Sequence, residues 1–333
     1  MTPDMKRSLG VGIVGAGFIG DLHAQAIRHV EGLSVVAATR RDREALDRFC
    51  KVHGASAFGD YRELIEDKRV DIVVVATPHD LHAQIAIDAA RAGKAILIEK
   101  PLASTLEDCD RIVQAVSENR VTATVGFVNR YAPSYERARR LLDGGSLGEP
   151  VTGISTMAKF WMEPNRREWH LDPERGGGMW ITAGIHCLDR LTWLLGSDIL
   201  AVDAGFATRF HRQAADDTGM VFVRYRNGCV GTVMSIGYRR GAPRHTTEIQ
   251  CVEGSLYVDY GSVSIGVDEA WNELDRYDAN AWMAEALVLE WQTLAESVRA
   301  GTQPALTVEY GRHIMAAALA AKKSSRLGRE IDV

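Results

Sequence analysis

Leu9-Gly10-Val11-Gly12-Ile13-Val14-Gly15-Ala16-Gly17-Phe18-Ile19-Gly20 is the stretch that decides the fold of this chain. The apolar run from Leu9 to Val14 reads as a strand, the glycines at 15, 17 and 20 follow it, and Phe18 to His29 has helical character. Strand, glycine turn and helix in that order are the context of a dinucleotide-binding turn, with Phe18 and Ile19 inside it. Gly15 permits the tight turn, Gly17 lets the backbone approach a pyrophosphate, and Gly20 lets the helix pack on the strand. The helix start adds free N–H groups and a positive dipole end for the phosphates.

Outward from that turn, the text alternates strand and helix as far as about residue 126, the pattern of a doubly wound parallel sheet. Strands are predicted at 9–15, 34–39, 71–76, 95–99 and 121–125, rich in Val, Ile and Ala as befits strands covered on both faces. Asp42 is predicted to cap a helix over 43–53 with Gly54 as its stop, Ser104 with Glu107 reads as a capping box, and a helix over 80–92 ends at Gly93. Beyond Gly126 a helix from Pro133 to Leu142 is followed by segments of strand character at 151–160, 199–210, 219–226, 229–238, 246–252 and 255–259. The turn Arg226-Asn227-Gly228 joins two of these, so the sheet is expected to be mainly antiparallel. Late helices are expected over 279–300 and 309–325, the first with a core-facing stripe of Leu287, Trp291, Leu294 and Val298. The fold class is therefore α/β: a Rossmann domain over 1–127, then an α+β domain with an open antiparallel sheet over 128–333.

A chain of 333 residues suits two domains, and 46% hydrophobic with 25% charged residues is ordinary for a globular protein. A net charge of −5 with dispersed basic residues gives no footprint for nucleic acid or an anionic membrane. The apolar run behind Arg7 is too short for a signal core or a spanning helix. Cysteines at 50, 109, 187, 229 and 251 are odd in number and widely spaced, which points to neither disulfides nor zinc and fits a reducing, cytoplasmic setting. Histidine spacing gives no metal site.

Candidate chemistry gathers at five places. Lys100, in Ala95-Ile96-Leu97-Ile98-Glu99-Lys100-Pro101, ends a parallel strand, where ligands of doubly wound sheets lie. Arg40 follows Gly20 by twenty residues, where NAD enzymes place an acid for the ribose; with Arg41 beside it, a 2′-phosphate and hence NADP(H) is favoured, with NAD(H) as the alternative. His186 has Thr182 at i−4 on a helix-like segment and is a natural proton carrier. Trp161, Asn165, Arg166, Trp169 and His170 precede a triple glycine and could surround a substrate, as could Tyr238-Arg239-Arg240.

The glycine fingerprint, Glu99-Lys100-Pro101 and the segment Gly176-Gly177-Gly178-Met179-Trp180-Ile181-Thr182-Ala183-Gly184-Ile185-His186-Cys187-Leu188-Asp189 stand in the order found in one family. On these motifs, and on the run Thr77-Pro78-His79-Asp80-Leu81-His82, the chain resembles the glucose-fructose oxidoreductase, inositol dehydrogenase and MocA family. The resemblance spans Gly12 to about Arg312. It implies an NAD(P)-dependent dehydrogenase in which Lys100 and His186 are catalytic, Thr77, Pro78, His82, Glu99 and Lys100 join the cofactor site, and Trp161, Arg166, Trp169, Thr182 and His186 meet substrate. It also implies a substrate held between the domains, a sugar, inositol or related polyol, and a homodimer or homotetramer formed through the second sheet. Thr182 stands where the family usually has an aspartate, which weakens the polyol inference. A cyclic cis-dihydrodiol of the phthalate type is the other substrate class, and a non-catalytic regulator, like a fungal galactose-pathway repressor, the other function class.

Overall fold

The computed structural model describes residues 7–164 and 166–333. The chain divides into two compact units, the first formed by Met1–Val128 with Ala284–Arg312, the second by Asn129–Met283 with His313–Val333.

In the first unit β1 (Leu9–Val14), α1 (Phe18–Ile27), β2 (Leu33–Thr39), α2 (Arg43–His53), β3 (Ser56–Phe58), α3 (Tyr61–Glu66), β4 (Ile72–Val75), α4 (His82–Arg91), β5 (Ala95–Glu99), α5 (Leu106–Asn119) and β6 (Ala123–Gly126) follow one another. Among the described residues the strands form a six-stranded parallel sheet in the order β3-β2-β1-β4-β5-β6. That is the doubly wound order whose strand sequence reverses between β1 and β4. The short β3 has no apolar run to announce it. Asp42 caps α2 by accepting the Ala45 N–H, and Gly54 ends it at φ 73°. The cap expected from Ser104 and Glu107 is shifted by one residue: Thr105 takes the extended backbone and accepts the Asp108 N–H, because that pair offers the same spacing.

The second unit carries α6 (Pro133–Asp143), β7 (Pro150–Phe160), α7 (Ile185–Leu195), β8 (Ile199–Ala207), β9 (Thr218–Tyr225), β10 (Val230–Tyr238), β11 (Arg244–Cys251), β12 (Ser255–Val258), β13 (Ser262–Val267) and β14 (Ala270–Arg276). The chain closes with α8 (Trp282–Ala300), α9 (Val308–Leu327) and β15 (Ile331–Asp332). Among the described residues the sheet has nine strands in the order β14-β13-β12-β11-β7-β10-β9-β8-β15, with β7 and β10 parallel and the other pairs antiparallel. The helix α7 lies on one face, and Gly153 and Gly231 let it approach: a Cβ at either would meet the Leu191 side chain at 2.7 or 2.8 Å. The other face is open, with Ile154, Met220 and Phe222 49%, 52% and 38% exposed.

One expectation is corrected. The segment Ala284–Arg312 belongs to the first unit, not to a domain running over 128–333. Trp291 donates its indole N–H to His23, and Thr122 and Thr124 beside and within β6 donate to the carbonyls of Thr302 and Leu306. In the predicted stripe Leu287, Trp291 and Leu294 are buried, but Val298 is half-buried and Glu290 takes part in the buried face instead. Amphipathic spacing shows that a helix has a core face, not which sheet receives it. Among the described residues no helix is long and apolar enough to cross a membrane.

Gly15 and Gly20 of the fingerprint are required by geometry. Gly15 sits at φ 101°, and a Cβ there would lie 2.4 Å from the Ala76 carbonyl oxygen; at Gly20 it would lie 2.5 Å from the oxygen of Gly15. Gly15→Ala is therefore expected to destabilise the first unit by more than about 1 kcal/mol and to weaken dinucleotide binding. Calorimetry checks this, and an unchanged melting temperature would contradict it.

Candidate active site

The first turn of α1 has no side-chain cap, since Gly17 occupies the cap position, so its leading N–H groups are open to an anion. A cleft of about 410 Å³ opens beside them, lined by Ala16, Gly17, Phe18, Asp21, Arg40 and Arg48 among others. Arg40, half-buried, donates from Nη1 to the Ala16 carbonyl at 3.1 Å, which anchors its guanidinium at the fingerprint; Arg41 is exposed. At the end of β4 the Thr77 hydroxyl is buried with no hydrogen-bond partner among the described residues, and Pro78 leads into a short 3₁₀ turn over His79–Leu81. An uncapped helix start, a glycine with open space and an orphaned hydroxyl fit a dinucleotide. Gly15, Gly17, Phe18, Ile19, Gly20, Arg40, Thr77 and Pro78 are the residues that would hold it.

Two residues expected at the cofactor, His82 and Glu99, have side chains held within the fold. His82 is fully buried between two carbonyls, with Nδ1 2.9 Å from that of Pro101 and Nε2 3.0 Å from that of Thr77. Burial holds it below the usual histidine value and neutral, so only one of those nitrogens donates. Glu99 is likewise turned inward. Its Oε1 lies 3.0 Å from His23 Nε2, and its Oε2 accepts the Lys100 backbone N–H at 3.2 Å. The Trp291 indole donates to His23 Nδ1 at 3.1 Å, which leaves the imidazole proton on Nε2, facing Glu99. Burial alone would push the Glu99 carboxyl up; the His23 bond and the Lys100 charge outweigh it and hold the group below its ordinary value. Lys100 is half-buried at the carboxyl end of β5, joined to Pro101 by a cis peptide.

In the second unit the triple glycine leads into a π-helical turn over Trp180–Gly184, and α7 begins only at Ile185. The continuous α-helical face expected for Thr182 and His186 is thus broken between them. The Thr182 hydroxyl donates to the Gly176 carbonyl at 3.3 Å, closing the glycine loop. His186 is half-buried on a helix whose flanking residues Ile185, Cys187, Leu188 and Asp189 are all buried. Asp189 accepts the Arg130 guanidinium through Nε at 2.9 Å and Nη2 at 2.6 Å, which makes it a strut of the fold. Cys187 is buried and accepts from Arg190.

The aromatic loop is corrected in one place. Trp161 is fully buried, its indole N–H held by Gln213 at 2.9 Å and its face covered by the Arg166 guanidinium at 3.8 Å, so it presents no surface to a ligand. Arg166 also bonds Glu163 and the Trp161 carbonyl, and desolvation lowers its proton affinity. Trp169 stacks on His170 at 3.7 Å and is half-buried. Asn165 lies outside the described residues. Sequence reading missed Asp216 and Lys322, which grip the glycine loop from far along the chain.

Residues 9–127 match a family model described as an oxidoreductase family with an NAD-binding Rossmann fold, and residues 135–257 match one described as the GFO/IDH/MocA C-terminal domain. Inositol 2-dehydrogenase 2 of Saccharopolyspora erythraea is 31% identical over 267 residues, 78% of this chain and 73% of that protein. The chain belongs to the GFO/IDH/MocA oxidoreductase family. The scyllo-inositol 2-dehydrogenase (NAD(+)) of Bacillus subtilis is a relative of nearly full length, 27% identical over 99% of this chain and 97% of its own. A solved structure of levoglucosan dehydrogenase in complex with NADH has the same fold, with a TM-score of 0.90 at 23% identity over 98% of this chain and 99% of that one.

Within this GFO/IDH/MocA oxidoreductase one buried group stands out beside the Glu99 network. Glu290, next to Trp291 on α8, is 1% exposed, and neither carboxyl oxygen has a hydrogen-bond partner among the described residues. Burial, and secondarily the charge on Glu99, raises it well above the ordinary glutamate value, so it is a neutral acid while Glu99 carries the single charge of the pair. A raised carboxyl favours the fold only while protonated: that contribution is present below the ordinary glutamate value and is lost as pH rises through the raised one. Glu290→Met should therefore stabilise the protein by about 1–3 kcal/mol by removing unpaired buried oxygens. Melting temperatures at about pH 5 and about pH 8 should show the larger gain at the higher pH. An equal or smaller gain there would contradict the assignment of a neutral Glu290.

Proposed function

We propose that this oxidoreductase is an NADP(H)-preferring dehydrogenase that oxidises a secondary alcohol of a sugar, inositol or related polyol, or reduces the matching ketone. The observation that carries the reading is Lys100, delivered at the carboxyl end of β5 with its backbone N–H fixed to buried Glu99. In doubly wound sheets ligands lie beyond the carboxyl ends of the strands. The names of the relatives, inositol and levoglucosan dehydrogenases, support the substrate class.

A nicotinamide dinucleotide held at the fingerprint would supply the hydride acceptor for oxidation of the alcohol and the hydride donor for reduction of the ketone. Lys100 stabilises negative charge on the alcohol oxygen as its proton leaves, a pre-organised electrostatic role. His186 accepts a proton in oxidation and returns it in reduction. The Thr182 hydroxyl is given to the Gly176 carbonyl, so His186 is the titratable group that this stretch offers to substrate, with Arg166 and Trp169 as its lesser neighbours in the reading. Arg40, anchored on Ala16 beside the cleft, supports a 2′-phosphate and so NADP(H). The open sheet face bearing Ile154, Met220 and Phe222 suits a homodimer or homotetramer, and five free, buried cysteines suit a reducing cytoplasm.

Lys100→Met keeps the apolar stem and deletes the charge. With myo-inositol as the alcohol, kcat is expected to fall roughly a hundred- to a thousandfold while cofactor affinity changes little. His186→Asn should give a smaller loss and flatten the pH dependence of kcat. Retention of more than about a tenth of parental kcat by Lys100→Met would overturn the mechanism. For the cofactor, Arg40→Asp should shift the ratio of NADPH to NADH dissociation constants by roughly ten- to a hundredfold toward NADH. An unchanged ratio would remove the NADP(H) preference.

A further inference from the structure

The glycine loop before His186 is held by charges that the reaction itself does not use. Gly177 and Gly178 both sit at positive φ, 72° and 78°, and a Cβ on Gly178 would lie 2.7 Å from the Asp216 carbonyl oxygen and 2.8 Å from its Oδ1. Only glycine permits that approach. Asp216 then receives two consecutive backbone donors from the turn, Met179 N–H on its carbonyl at 2.9 Å and Trp180 N–H on Oδ2 at 2.8 Å. From α9, Lys322 donates to the Gly177 carbonyl at 2.8 Å and lies 3.8 Å from Asp216 Oδ1. One turn earlier on α9 the Ala318 carbonyl accepts the Trp180 indole N–H at 2.9 Å. The glycine loop and the π-helical turn are thereby fixed at Gly177, Met179 and Trp180, immediately before the helix that carries His186.

These anchors are kept against an electrostatic cost. Burial pushes the Asp216 carboxyl up to about 6 although Lys322 pulls it down, and burial also lowers the Lys322 ammonium from its ordinary value. Asp217 adds repulsion, and is itself saturated by the backbone N–H groups of Arg209, Phe210 and His211. A turn needing only stability could be tied by neutral groups, since buried ion pairs are poor stabilisers. Single π-helical turns recur at functional sites, and irregular backbone persists where its surroundings over-determine it.

We propose that Asp216 and Lys322 are positioning residues for His186: they lock the glycine loop and the π-helical turn, and so set where α7 begins and where its imidazole is presented. This rests on the reading of His186 as the proton carrier. A displacement of a catalytic group by about 1 Å can cost up to a hundredfold in rate.

The test is a double-mutant cycle with myo-inositol and NADP⁺ on the full chain, joined to hydrogen–deuterium exchange. Lys322→Met should lower kcat roughly ten- to a hundredfold and leave the cofactor dissociation constant unchanged. Lys322→Arg, which keeps a donor for the Gly177 carbonyl, should restore most of that loss, and Asp216→Asn should fall between the two. Combined with His186→Asn, the Lys322→Met loss should vanish, because a group that acts through His186 has nothing left to position. Amide exchange in Lys322→Met should rise over residues 178–188 and stay parental over residues 9–29. Additive losses, or exchange unchanged over 178–188, would overturn the positioning role. Full activity in His186→Asn would instead overturn the proton-carrier reading beneath it.

Discussion

Glu99 ends β5 with a buried carboxylate on which two fixed donors converge, the His23 ring at 3.0 Å and the Lys100 backbone N–H at 3.2 Å. The arrangement at the nucleotide end of the first unit depends on that charge. It holds the tautomer of His23, which in turn takes the Trp291 indole and so fastens α8 to the first unit. It sets the backbone from which the Lys100 side chain departs. It adds to burial, the larger cause, in keeping the neighbouring Glu290 a neutral acid. His82 is buried beside Glu99, between the carbonyls of Thr77 and Pro101. This scaffold restrains the backbone that bears the Lys100 ammonium.

The second unit meets the same need by a different device. Its histidine stands on a helix whose start is set by a glycine loop, a π-helical turn and an ion pair, rather than by a strand end. Thr182, where an aspartate would have placed a charge before His186, is a neutral hydroxyl used within the loop.

What could be read from the sequence was what is local. The Leu9–Gly20 stretch names strand, turn and helix within twelve residues, and apolar runs located the five main strands of the parallel sheet. The Asp42 cap and the Gly54 stop were legible for the same reason. The three-residue β3 and the exposed edge strand β14 were not, because one is too short and the other has no buried face to impose alternation. The chain of contacts behind Glu99 was not legible, because His23 lies 76 positions from it and Trp291 lies 268 from His23. Trp161 looked like a ligand contact because nothing local shows that Gln213 and Arg166 enclose it. Asp216 and Lys322 carry no motif at all, and only the fold brings them to the glycines.

The central proposal is hydride transfer between a secondary alcohol carbon and the nicotinamide. Its most direct test is isotope transfer: the purified enzyme is incubated with myo-inositol deuterated on its ring carbons and oxidised NADP⁺ or NAD⁺, and the reduced cofactor is weighed by mass spectrometry. Reduced cofactor carrying deuterium from the alcohol carbon is the predicted result. Reduced cofactor without the label, or none formed with any polyol of the sugar and inositol class, would contradict it.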